Sequence, residues 1–166
     1  MPLNREMLHL SRLDFVTQVT MPRAGSEYLQ SLFDGNKEVL IFPTNFRFFS
    51  EYVENSRTIN SNEKFSEDII LEFIGKEFHR FKSRYFMEEN LNKLGKFGND
   101  CIDISIVDFI KNFKNLMENC KLDNKNIFLA IYGAFHKSIG RDIFNLKVLW
   151  HHAHYFSEAL KFNEIF

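Results

Sequence analysis

Between Leu13 and Pro43 the sequence changes its hydrophobic period twice, and that switch constrains the fold more than any other feature. Leu13 to Thr20 (LDFVTQVT) alternates apolar and polar residues and is rich in Val and Thr, which predicts a strand. Met21 to Gly25 (MPRAG) has the Pro and Gly of a turn. From Ser26 onward, Leu29, Leu32 and Phe33 stand at helical spacing, with Ser26 a good N-cap and Gly35 or Asn36 a good stop. Glu38 to Pro43 (EVLIFP) is a short apolar run suited to a buried parallel strand. Strand, turn, helix, strand is one βαβ unit, whose crossover is expected to be right-handed.

Downstream the period is mostly helical. Phe46–Asn55 reads as a short helix and Ser56–Lys64 as a polar loop. Ile69, Ile70, Phe73, Ile74, Phe78, Phe81 and Tyr85 predict a helix from Ser66 to about Met87, weakened at Gly75. Residues 90–102 are loop-like. Ile106, Phe109, Ile110, Phe113, Leu116 and Met117 mark another helix. A third starts after Asp123 and stops at Gly140. Leu146–Ala153 (LKVLWHHA) predicts a last strand, and His154–Phe162 a short helix. Three strands with helices between them make an α/β domain, a small parallel sheet flanked by helices. The chain stops at Phe166, where a further strand is expected, so this single domain of residues 1–166 reads as truncated at its C-terminus.

Composition narrows the function classes. The 166 residues are 45% hydrophobic and 26% charged, which excludes a disordered chain. The net charge of −1 supplies no basic field for nucleic acid or an anionic membrane. Two cysteines, Cys101 and Cys120, are too few for a disulfide framework and read as reduced, partly buried thiols. The N-terminal segment bears Arg5, Glu6, Arg12 and Asp14, and it lacks the apolar core of a secretory signal. No run is long and apolar enough to span a bilayer, so a cytoplasmic protein is expected. The oligomeric state stays open.

The chemistry is expected at the first strand–helix turn. In open α/β sheets ligands bind beyond the carboxyl ends of the strands. Gly25 lets the main chain curl, the first amides of the next helix are free to donate, and the helix dipole favours an anion there. Arg23 adds a charged planar fork and Ser26 a hydroxyl. No Gly-Lys-Ser/Thr follows at Walker A spacing, and Gly25 lacks the partner glycines of a dinucleotide fingerprint.

Pro22, Arg23, Gly25 and Ser26 resemble the 5′-phosphosulfate-binding loop of the sulfotransferase family. That loop reads Pro, Lys or Arg, Ser, Gly, Ser or Thr, Thr, between a first strand and a helix. The similarity continues through Leu29-Gln30-Ser31-Leu32-Phe33-Asp34-Gly35 and Glu38-Val39-Leu40, close to the family's LLQSLLDGHPEV. The resemblance implies a P-loop NTPase-like fold and the donor 3′-phosphoadenosine 5′-phosphosulfate. It also implies transfer of a sulfuryl group to a hydroxyl or amine on a small-molecule or glycan acceptor. Residues Pro22, Arg23, Ala24, Gly25, Ser26, Glu27 and Tyr28 would hold the donor, and Arg23 would stabilise the transferring group. Ala24 stands where the family has Ser or Thr, Glu27 where it has Thr, and the family's later Arg and Ser for the 3′-phosphate have no counterpart before Phe166. The alternative is a non-catalytic remnant or anion-binding module of the same fold. A small-molecule kinase lacks its loop lysine here.

His151, His152 and His154 end the last strand, where the period of two puts His152 and His154 on one side. His152 is the candidate base. No Cys or carboxylate stands at ligand spacing, so no metal is expected. His79 and His136 fall in helical stretches and read as structural or solvated. Lys76, Arg80, Lys82 and Arg84 read as a solvated helix face, and the Phe stripes as core.

Overall fold

A computed structural model describes residues 4–19, 29, 32–33, 36–43, 46–53, 67–82, 102–153 and 155–166. Among the described residues three short strands form one parallel sheet: β1 (Asp14–Val19), β2 (Val39–Leu40) and β3 (Val148–Ala153). Their spatial order is β1-β3-β2. The first two strands are thus parallel, as the βαβ reading requires, but they are not neighbours; the last strand lies between them. Asp14 to Val19 pair in register with Val148 to Ala153, and Val39 and Leu40 pair with Val148 and Leu149.

The pleat divides the side chains between two faces. Leu149 and His151 face a helical layer, with His151 against Phe128 and Tyr132. Trp150 faces the other way, 4.6 Å from the ring of Phe33. Phe33 belongs to the connection from β1 to β2, whereas the helices between β2 and β3 cover the opposite face. The two connections run in opposite directions across the sheet, so a common hand puts them on opposite faces.

The helical layer is α1 (Arg5–Leu10), α2 (Glu67–Glu77), α3 (Ile106–Met117), α4 (Asn124–Ser138) and α5 (Phe156–Ile165). Local chemistry sets most of the boundaries. The side chains of Asn4, Ser105 and Asp123 accept from the first-turn amides of Glu6, Asp108 and Asn126. Gly140, at φ 75°, ends α4 in the left-handed region where only glycine is unstrained. The helix α4 is buried from Ile127 to His136, and α3 and α1 pack on it at Gly133.

Two helical expectations change form. Phe48–Val53 is a wide π-helical turn, which brings Phe48, Phe49, Tyr52 and Val53 all into the core. The helix expected from Ser66 to Met87 leaves α-geometry at Glu77; Phe78–Phe81 tightens to a 3₁₀ turn and Lys82 is extended. The tighter turn sets Phe78 and Phe81 above one another, and both are buried against Phe109. Residues 83–87 of that expectation lie outside the described residues. Around this frame Phe42, Phe46, Phe81, Tyr132 and Phe135 form a continuous aromatic core. Among the described residues no helix is long and apolar enough to cross a membrane.

Candidate anion site at the carboxyl edge of the sheet

Val19 and Ala153 are register partners and mark the carboxyl edge of β1 and β3. The two chains leave that edge toward opposite faces. After β1 the chain reaches Phe33 on the Trp150 face. After β3 it enters α5, whose Phe162, together with Phe166 just beyond the helix, packs on Phe15 beneath the other face. Neighbouring parallel strands whose connections diverge in this way leave a crevice between them, the position at which open α/β sheets bind ligands. In sequence, Thr20 to Tyr28 follow Val19, the last described residue of β1. Pro22, Arg23, Ala24, Gly25, Ser26, Glu27 and Tyr28 themselves lie outside the described residues, as does His154.

His152 is described. It is register-paired with Gln18, points to the Trp150 face by alternation, and is 4% exposed. On this face the Trp150 Nε1–H donates to Gln18 Oε1 at 3.0 Å, tying the ends of β1 and β3 together beside the crevice. Neither Gln18 nor Trp150 stood out as a candidate from the sequence; the period of two places Trp150 with His152, and Gln18 joins them only through the register of β1 on β3.

His151, the adjacent histidine, belongs to the opposite face. Its Nδ1 is 2.8 Å from the Tyr132 hydroxyl, and its ring stacks on Phe162 with planes 5° apart. Burial, with a smaller contribution from the neighbouring His152, lowers its pKa to about 3. Burial raises that of Tyr132 well above the ordinary tyrosine value. His151 is therefore a neutral core imidazole and meets no acceptor molecule. Glu158, in the first turn of α5, is a buried carboxylate close in sequence to this edge that sequence reasoning overlooked.

The remaining sequence candidates are dispersed. His136 is buried in α4, where burial and the charge of Arg141 lower its pKa to about 4. Lys76 pairs with Glu72 on the surface, as a solvated face requires. Arg80 instead makes a largely buried ion pair with Glu77 at 2.7 Å, and Lys82 reaches Asp103 at 3.1 Å. The Cys120 thiol is half-buried and donates to the Leu116 carbonyl. No group of three His, Cys, Asp or Glu able to hold a metal occurs among the described residues. No protein-family model, no curated protein and no solved structure matches the chain.

Proposed function

We propose that this chain is a sulfotransferase-like domain of P-loop NTPase-like architecture, binding the phosphosulfate end of 3′-phosphoadenosine 5′-phosphosulfate on residues 22–28. The observation that carries the reading is the divergence of the chain at the carboxyl ends of β1 and β3, at the point where the Pro22-Arg23-Ala24-Gly25-Ser26 segment follows β1. A parallel sheet with its last strand between its first two supplies the crevice, and the sequence supplies the oxyanion-binding residue types.

In this reading the amides from Arg23 to Tyr28 and the hydroxyl of Ser26 bind the phosphate oxygens, and Arg23 neutralises charge on the sulfuryl oxygens. The acceptor oxygen or nitrogen attacks sulfur in line, the bond from sulfur to the bridging phosphate oxygen breaks, and adenosine 3′,5′-bisphosphate leaves. His152 receives the proton from the acceptor. Positioning and charge stabilisation carry most of the rate, as in phosphoryl transfer.

Calorimetric titration with adenosine 3′,5′-bisphosphate tests the binding step. Saturable heat that Arg23→Ala weakens supports it, and no heat at millimolar ligand overturns it. Transfer from the labelled donor to a panel of hydroxyl and amine acceptors tests the chemistry. Binding without transfer to any acceptor would leave an anion-binding module, a reading that the carboxylate of Glu27 within the loop favours.

A further inference from the structure

Among the polar atoms shut off from solvent without a hydrogen-bond partner are two that lie on neighbouring strands: Thr17 Oγ1 on β1 and His151 Nε2 on β3. The two residues are register partners, so they lie side by side on the same face of adjacent parallel strands. Around the imidazole stand Phe49, Phe128 and Phe162, with ring centroids at 5.4, 5.3 and 5.6 Å, and none of them offers an oxygen or nitrogen.

The other ring nitrogen decides the proton arrangement. Tyr132 stays protonated in the core, and its hydroxyl meets Nδ1 at 2.8 Å. If the hydroxyl donates, the Nε2 atom of the neutral ring carries the hydrogen. The reverse arrangement strands the Tyr132 hydrogen and leaves the Nε2 lone pair unused, whereas with Tyr132 donating the one hydrogen left to pair is Nε2–H, which a small acceptor beside the ring can satisfy. Nε2–H then needs an acceptor of its own. The threonine hydroxyl stands one bond from Cβ, close to the sheet, whereas the imidazole carries Nε2 farther from it. A single water spans such a step, and buried waters characteristically join otherwise unsatisfied polar groups.

We infer that one buried water bridges His151 Nε2–H and Thr17 Oγ1, completing a chain Tyr132–His151–water–Thr17 from the middle of α4 to the strand that runs into residues 20–28. The water accepts from Nε2 and donates to the threonine oxygen. The chain makes His151 a positioning residue for the carboxyl end of β1 and does not depend on which ligand the crevice takes.

Nuclear magnetic resonance of the ¹⁵N-labelled full chain tests it. Long-range ¹H–¹⁵N correlation is expected to show His151 as the Nε2–H tautomer, with a cross-relaxation peak from that hydrogen to a long-lived water. Thr17→Val keeps the shape and removes the hydroxyl; the water peak is expected to vanish and Nε2–H exchange to speed up at least tenfold. Thr17→Ser is expected to restore both. An Nδ1–H tautomer, a ring hydrogen lost to rapid exchange in the wild-type protein, or a water peak that persists in Thr17→Val would each overturn the inference. Should Thr17→Val fail to fold, the wild-type tautomer and water peak decide it alone.

Discussion

Both carboxylate oxygens of Glu6 accept from the Lys137 ammonium, each at 2.7 Å, joining α1 to the end of α4 across 131 residues of sequence. Both side chains are 26% exposed, so the pair is screened by solvent only in part. Glu6→Gln is expected to lower stability by up to about 1 kcal/mol in urea denaturation, the usual range for such a pair. Molar salt should shrink that difference. A loss unaffected by salt would assign the contact to packing instead of charge.

Glycine has opposite meanings at two helical positions. A Cβ on Gly133 would lie 2.7 Å from Leu10 Cδ1 and 2.9 Å from Leu116 Cδ1, so this residue sets how closely α1 and α3 approach α4. Gly133→Val should cost about 1–3 kcal/mol through overpacking. Around Gly75 in α2 nothing lies within 4 Å of such a Cβ. Gly75→Ala should therefore stabilise by about 0.5–1 kcal/mol through the entropy of the unfolded chain. Melting temperatures that move the same way for both variants would contradict this account.

Acid should unfold the protein through its core histidines. Free imidazoles titrate near 6.5, whereas burial holds His136 neutral to about 4 and His151 to about 3. Between those values the unfolded chain binds more protons, so stability is complete above about pH 6.5 and falls as pH drops. Each imidazole contributes a slope of up to about 1.4 kcal/mol per pH unit. Urea midpoints from neutral pH down to about pH 4.5 should follow that decline, and His136→Gln should flatten it. Midpoints independent of pH would show that neither ring is held neutral.

Glu27 gives the proposed donor site its own test. A carboxylate about 5 Å from a phosphate charge costs about 3 kcal/mol at an effective dielectric near 20. If it faces the bound anion, Glu27→Thr should tighten adenosine 3′,5′-bisphosphate binding at least tenfold by calorimetry. Unchanged affinity would place the carboxylate outside the cradle.

The parts of this fold written in local chemistry were legible in the sequence. The start after Asp123, the stop at Gly140 and the 3.6-residue spacing of Phe109, Phe113 and Leu116 locate α3 and α4 with little ambiguity. The helix α1 escaped notice because six residues carry only Met7 and Leu10 as a pattern, although Asn4 caps it plainly. Strand order was illegible for a different reason: nothing near Asp14 or Val39 encodes that Val148 will come between them. The same holds for Gln18 and Trp150, whose contact exists only once β3 is in place. At the candidate site the loop chemistry was readable from Arg23, Gly25 and Ser26, whereas the burial of His152 follows from tertiary packing that no spacing rule contains.

Of the three described strands, the central one is also the last in sequence. Gln18 waits for Trp150 through 132 residues of translation, and until then β1 and β2 have no described strand to hydrogen-bond with. The helical hairpin of α3 and α4, built on neighbours in sequence, can assemble while the ribosome is still working. The described sheet cannot, so a nascent chain interrupted before Val148 would leave the alternating first strand, with Phe15, Val16 and Val19, without the strand it pairs with and open to chaperones or to aggregation.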